Sequence, residues 1–187
     1  MNAVVIEKIL IWFSDNWFNL LSIIALAVGG VFALIQWNKS VKLRRAEFIN
    51  QIIEKLRFDK NMASTMYLID YDEEWYTEEF HDSEEMQFAI DKMFSYLSYI
   101  CYLIDIRHIT KKESSILGYE LRRACESYQV QAYLYNLYHF SQNRYSRRKK
   151  DPCSFQYLID YGLKEAIIDR EDFMNESSTR YPHYLNF

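Results

Sequence analysis

Apolar positions recur at helical spacing along most of this chain, with polar residues between them. The first long stretch is the exception, because it has no polar face. From Asn16 to Asn38, NWFNLLSIIALAVGGVFALIQWN runs for 23 residues without a charge. About 20 such residues suffice to cross a bilayer as a helix. Trp17 and Trp37 stand near the two ends, where an amphipathic indole favours the headgroup region. The run is too long and starts too late for a signal peptide, and no small-residue cleavage site precedes the charges that follow. The pattern predicts a transmembrane helix over 17–37, with residues 1–16 outside the cytoplasm. Within them VVIEKILIWF (Val4–Phe13) is too short to span and is expected to lie in the outer interface as an amphipathic turn or two.

Charge at the flanks gives an orientation. Lys39, Lys42, Arg44 and Arg45 follow the run, whereas only Lys8 precedes it, beside Glu7 and Asp15. Basic residues stay on the cytoplasmic side, so the C-terminal part is expected in the cytoplasm. The same bases can face anionic lipid, at about 1 kcal/mol each. Membrane lipid is thus the first expected partner. Ser22, Ala25, Gly29 and Ala33 form one stripe of small residues along the span. Such a stripe lets helix backbones approach closely, which in lipid is a main source of association. A homo-oligomer packed through this face is expected.

Beyond the basic cluster, two-sided patterns begin. Ile49, Ile52, Ile53 and Leu56 continue the span as an amphipathic helix, and Met62, Met66 and Ile69 mark a shorter one over Asn61–Tyr71. Ser83 is a candidate N-cap for a helix over Glu84–Ile106. Its inner face carries Met86, Ile90, Met93, Phe94, Leu97, Ile100, Cys101 and Ile104, with Phe88, Ser95, Tyr99 and Tyr102 opposite. Thr110–Glu113 reads as a capping box, and Ile116, Leu117, Leu121, Ala124 and Tyr128 form the stripe behind it. Val130, Leu134, Leu137, Tyr138 and Ser141 keep the spacing to about Asn143. Asp151 and Pro152 suit the N-cap and first position of another helix, with Phe155, Leu158 and Ile159 inward and Gly162 as a stop. From about Arg170 no stripe remains, so 170–187 reads as a mobile tail.

Composition supports the helical assignment. The chain has only 4 Gly and 2 Pro, the residues that tight sheet connections need. The fold expected is all-α: one N-terminal transmembrane helix continuing into a cytosolic bundle of about five helices over 38–169. A net charge of −4 does not suggest a basic nucleic-acid-binding protein. Cys101, Cys125 and Cys153 are odd in number and far apart, which fits free thiols in a reducing compartment.

Candidate chemistry is sparse. Gly118 and Gly162 are the only glycines beyond the span, so no phosphate-cradling glycine loop forms. No zinc-protease, nucleophile-elbow or Walker pattern occurs. His81, His108, His139 and His183 are widely separated, and no Arg precedes a His at the spacing of small helical ribonucleases. The expectation is a protein without enzyme activity, cofactor or metal. Between Asp70 and Asp91 lie ten acids and no Lys or Arg. Without the ligand spacing and turn glycine of a calcium loop, this segment reads as a solvated acidic loop whose Trp75, Tyr76 and Phe80 can dock on the bundle. Two basic groups are candidates for an anionic ligand: Arg122 and Arg123 on one helix, and Arg144, Arg147, Arg148, Lys149 and Lys150 in a loop. Such side chains bind phosphates, and nearby Tyr128, Tyr133 and Tyr135 can stack bases.

The tetrapeptide YLID occurs at Tyr67, Tyr102 and Tyr157. The copies share no fixed period, so they are not a structural repeat. Residues two apart on a helix point about 200° from each other. Ile69, Ile104 and Ile159 are therefore expected inward, with the three tyrosines outward.

The uncharged span, the basic stop and the segment MQFAIDKMFSYLSYICYLIDIRHITKKESSILGYELRR resemble bacterial single-span membrane proteins with a small cytosolic helical domain, over about Trp17–Gly162. The resemblance implies a bacterial inner-membrane location and brings no catalytic residues. The layout is also similar to membrane-anchored antiviral effectors, such as type III CRISPR ancillary proteins and retron partners. That likeness implies a cytosolic domain that binds a nucleotide or a protein and a span that disturbs the membrane. A passive tether for a cytosolic partner is the alternative.

Overall fold

A computed structural model describes residues 3–71, 73–144 and 153–185. Among them the regular elements are all helical. Contacts divide the chain into two units, Met1–Asn50 and Gln51–Phe187.

The first unit lies on α1 (Ala3–Phe58), one helix long and apolar enough to cross a membrane. No turn separates Val4–Phe13 from the uncharged run, so the short interfacial piece expected there is part of the same helix. The apolar stretch of α1 is exposed, Leu26 by 79% and Trp37 by 68%.

The second unit has a dense core. The last two turns of α1 enter it, with Ile52 and Leu56 buried as the spacing predicts. Tyr96 holds this end twice, its hydroxyl donating to the Ile52 carbonyl at 3.4 Å and its ring lying 4.8 Å from Lys55 Nζ. Asp59 caps α2 (Lys60–Asp70) by accepting from the Asn61 and Met62 amides. Met62, Met66 and Ile69 are buried. After a 3-10 turn at Glu78–Asp82, Ser83 caps α3 (Glu84–Asp105) at the Met86 amide. Ile90, Met93, Phe94, Leu97 and Ile100 on α3 are wholly buried, and Phe88 and Tyr99 face outward, as expected.

The Thr110 capping box forms, but α4 (Lys111–Ser114) lasts one turn. A new helix, α5 (Gly118–Glu126), then presents Leu117, Leu121 and Ala124 inward. Ile116 and Tyr128 are exposed, contrary to the expected stripe, because the chain turns between α4 and α5 and again at Ser127.

α6 (Tyr128–Arg144) corrects the sequence reading most. Gln131, Ala132, Tyr133, Leu134, Tyr135 and Asn136 are consecutive and all buried. A helix covered on every side is a central helix, whereas the apolar spacing predicts a single inner stripe with Leu137 and Tyr138, which are only half-buried. What covers the extra faces is the segment expected to be a mobile tail. The segment from Phe173 to Leu185, which begins in α8 (Arg170–Met174), packs on α6. Phe173 and Tyr181 are buried, the Tyr135 hydroxyl donates to the Asn175 and Glu176 carbonyls, and Tyr181 donates to Gln131 Oε1 at 3.1 Å.

α7 (Gln156–Lys164) packs along α3 and α5. Asp151 and Pro152, expected to start it, lie outside the described residues. Phe155, Leu158 and Ile159 are buried as expected. Gly162 is not a stop: it lies inside α7, and a Cβ there would come within 2.5 Å of Ile168 Cδ1. The glycine permits a close approach, and the chain reverses afterwards at Ala166, with φ of 54°.

Two YLID copies obey the geometry: Ile69 and Ile159 are buried while Tyr67 and Tyr157 are exposed. In the third, Leu103 takes the buried place and Ile104 is half-buried. The Tyr102 and Tyr157 rings meet across α3 and α7 with centroids 4.9 Å apart.

Candidate functional site

A groove of about 370 Å³ opens where the end of α1, α2 and the start of α5 meet. Its floor is apolar, from Leu56 and Met66, both buried in the core. Its walls include Tyr67 and Tyr119, whose rings are exposed. Tyr67 stacks on Tyr71, one helical turn later, with ring planes 22° apart and centroids at 6.0 Å. This pair makes a flat aromatic ledge.

Charge pairs hold the groove. Arg57 Nε donates to Glu120 Oε1 at 2.6 Å, and Arg57 Nη2 reaches the Ile116 carbonyl at 3.3 Å. The Glu120 side chain is 7% exposed and that of Arg57 is 45% exposed, so the pair is half in solvent. Glu120 Oε2 is shielded and has no hydrogen-bond partner. Such an orphaned acceptor is costly and calls for an explanation. Nearby, Arg123 Nε donates to Asp70 Oδ1 at 3.2 Å and Arg123 Nη2 to the Asp70 carbonyl at 2.7 Å. A guanidinium on the last carbonyl of α2 satisfies a helix end and opposes the helix dipole there. The Tyr119 hydroxyl also approaches Asp70 Oδ1, at 3.4 Å.

Of the basic residues expected to bind an anion, the structure describes the side chains of Arg122 and Arg123. Arg123 is engaged with Asp70, whose carboxylate holds the guanidinium pKa above its usual value. Arg122 is exposed and 3.9 Å from Glu126. Arg144 ends α6. Its side chain, and Arg147, Arg148, Lys149 and Lys150, lie outside the described residues, as does any meeting of the two basic groups. On α1, Trp17, Trp37, Lys39, Lys42 and Arg44 are exposed and Arg45 is half-buried. Ala25, Gly29 and Ala33 are exposed too, with nothing within 4 Å of a Cβ built at Gly29. Ser22 Oγ donates to the Phe18 carbonyl of its own helix at 2.9 Å.

The acidic segment places its aromatics in the core. Trp75, Tyr76 and Phe80 are buried against Tyr133, and Tyr184 from the C-terminal segment lies over Tyr76 with centroids 4.9 Å apart. Burial raises the Tyr133 pKa, and the short hydrogen bond that its hydroxyl donates to Asp91 raises it further. Among the described residues, no three His, Cys, Asp or Glu side chains are grouped to hold a metal ion.

Nothing in the apolar spacing pointed to the groove. Arg57 and Glu120 are 63 residues apart and meet only through the fold. The one available hint was Glu120 itself, an acid among the inward positions of α5, beside Leu121 and Ala124. Comparison with protein-family models, with curated proteins and with solved structures finds no match to this chain.

Proposed function

We propose that this chain is a single-span protein of a bacterial inner membrane, N-terminus outside, whose cytosolic helical unit is a non-enzymatic sensor. In this proposal the unit binds a ligand or partner, and binding alters packing of the Ser22/Ala25/Gly29/Ala33 face in an oligomer of spans. One observation carries the anchor: the apolar window of α1 is 0% buried within a chain that buries its other large apolar runs. Soluble monomers seldom expose a contiguous apolar patch beyond a few hundred Å². The bases at 39–45 support the orientation.

Labelling tests the topology. Cys101, Cys125 and Cys153 are all buried, so a membrane-impermeant maleimide has little native background. In intact spheroplasts it should label Ser14→Cys and spare Lys112→Cys until the cells are opened. The reverse pattern would overturn the orientation. Effector action is tested by membrane potential after induction, with and without phage infection. Depolarisation that Gly29→Leu abolishes supports the sensor. Cells that stay polarised under every condition leave the tether as the function.

A further inference from the structure

Resting on the sensor proposal, the geometry points to the groove between α1, α2 and α5 as a site for a neutral, flat heteroaromatic ring bearing an amino group. The aminopurine or aminopyrimidine of a nucleoside or nucleotide belongs to this class. The volume of about 370 Å³ lies within the range of small-molecule pockets, roughly 300–1,000 Å³.

The shape selects a ring. An apolar floor at Leu56 and Met66 lies beside the exposed phenols of Tyr67 and Tyr119, and the Tyr67–Tyr71 stack offers a face to extend. Bases gain binding energy by stacking on such aromatic side chains.

The charges select its edge. Glu120 lines the groove and its shielded Oε2 is an acceptor without a partner, so a ligand that reaches it must bring an N–H donor. Glu120 already faces the Arg57 guanidinium at 2.6 Å. An ammonium placed at Oε2 would sit beside that positive charge, which favours a neutral donor. An anion would meet the carboxylates of Glu120 and Asp70, both in the lining. A purely apolar ligand would leave Oε2 orphaned, at the cost of a buried unmet hydrogen bond. An aromatic amine avoids all three penalties. It donates to Oε2 while Arg57, half-exposed and not fully used by its two bonds, can donate to a ring nitrogen. A carboxylate accepting from the amino group of a base is a recurring pairing. The Tyr119 ring is exposed and its hydroxyl makes a long contact to Asp70, at 3.4 Å, so this wall of the groove can shift as the amine enters.

The test uses the full chain in lipid nanodiscs with adenosine and cytidine as probes, each titrated by calorimetry against inosine and uridine. In the second pair a carbonyl replaces the amine. Adenosine or cytidine should bind saturably, and its deaminated partner about tenfold or more weakly, as expected for loss of a charge-assisted hydrogen bond. Tyr67→Leu, at an exposed position, should weaken binding by about tenfold through lost stacking while the circular dichroism spectrum stays unchanged. Glu120→Gln should narrow the difference between the amino and keto rings. Equal binding of both rings, insensitivity to Tyr67→Leu, or no binding of either amino ring overturns the proposal. Membrane insertion is read separately, from co-purification with the disc, so failure of the anchor and failure of the ring site are distinguishable.

Discussion

Replacing Asn136 with alanine tests how the C-terminal segment is held. Asn136 is wholly buried on α6. Its Nδ2 donates to the Ala132 carbonyl at 2.9 Å and the Pro182 carbonyl at 2.7 Å, and its Oδ1 accepts from the Tyr184 and Leu185 amides at 3.0 and 3.3 Å. Ala132 is in the middle of a helix and keeps its ladder bond, so three bonds to the segment carry the effect. If 182–185 stayed docked, each orphaned group would cost about 1–3 kcal/mol. Release into water forfeits only the net value of each bond, about 1 kcal/mol. Release therefore wins, and the segment is destabilised by roughly 2–3 kcal/mol, or about a hundredfold in the opening equilibrium. Hydrogen exchange on the full chain in detergent micelles reads this directly. Peptides covering Tyr184 and Leu185 should exchange about a hundredfold faster, while α3 and the middle of α6 keep their protection. Unchanged protection at 182–185 would refute the assigned role of Asn136. Equal acceleration everywhere would show that Asn136 supports the core as a whole instead of the segment.

Three further outcomes follow from other contacts. Gly162→Ala pushes a Cβ against buried Ile168, at 2.5 and 2.8 Å from its outer carbons; overpacking of about 1–3 kcal/mol exceeds the helix gain of about 1 kcal/mol. The thermal midpoint should fall and partly recover with Ile168→Val, and an unchanged or higher midpoint would contradict the close approach. Arg57→Ala strips a cation from a buried carboxylate and, with Arg57 half in solvent, should cost only about 1 kcal/mol; the loss should shrink in an Glu120→Gln background, and additive losses would mean the pair is not coupled. Burial pushes the Cys125 thiol up from 9.0 and the Tyr161 phenol up from 10.0, each to about 12. Above the unfolded pKa values the unfolded state binds fewer protons, so stability is full below about pH 9 and falls as pH rises toward 12, by about 1.4 kcal/mol per pH unit for each titrating group. Cys125→Ala should flatten that alkaline slope, and a slope that does not change would remove Cys125 from the set.

What could be read from the chain was local. Ser83 and Thr110 announce helix starts because a cap needs only its own hydroxyl and an amide three residues on. The stripe of α3 is legible because one apolar face is all it buries. α6 is illegible in this way, since its extra faces are covered through Tyr135, Asn136 and Gln131, polar side chains whose partners lie about 40 to 50 residues away. The docked segment at 170–185 lacks an apolar period for the same reason: hydrogen bonds to α6 and single aromatic anchors, Phe173 and Tyr181, hold it. Gly162 misled because the same residue that ends helices also permits close packing inside them. The groove depends on Arg57, Asp70 and Glu120 converging from three helices, which no spacing encodes.

Washing membranes from cells that express the full chain with alkaline carbonate tests the anchor most directly. Such a wash removes peripheral proteins and, at that pH, weakens the fold of the helical unit as well. The apolar run of α1 has no titratable group between Asn16 and Asn38, so its insertion is indifferent to the treatment. The chain should remain in the membrane pellet. Recovery in the supernatant would mean that α1 does not span the bilayer, and that its exposed apolar surface is covered by protein instead.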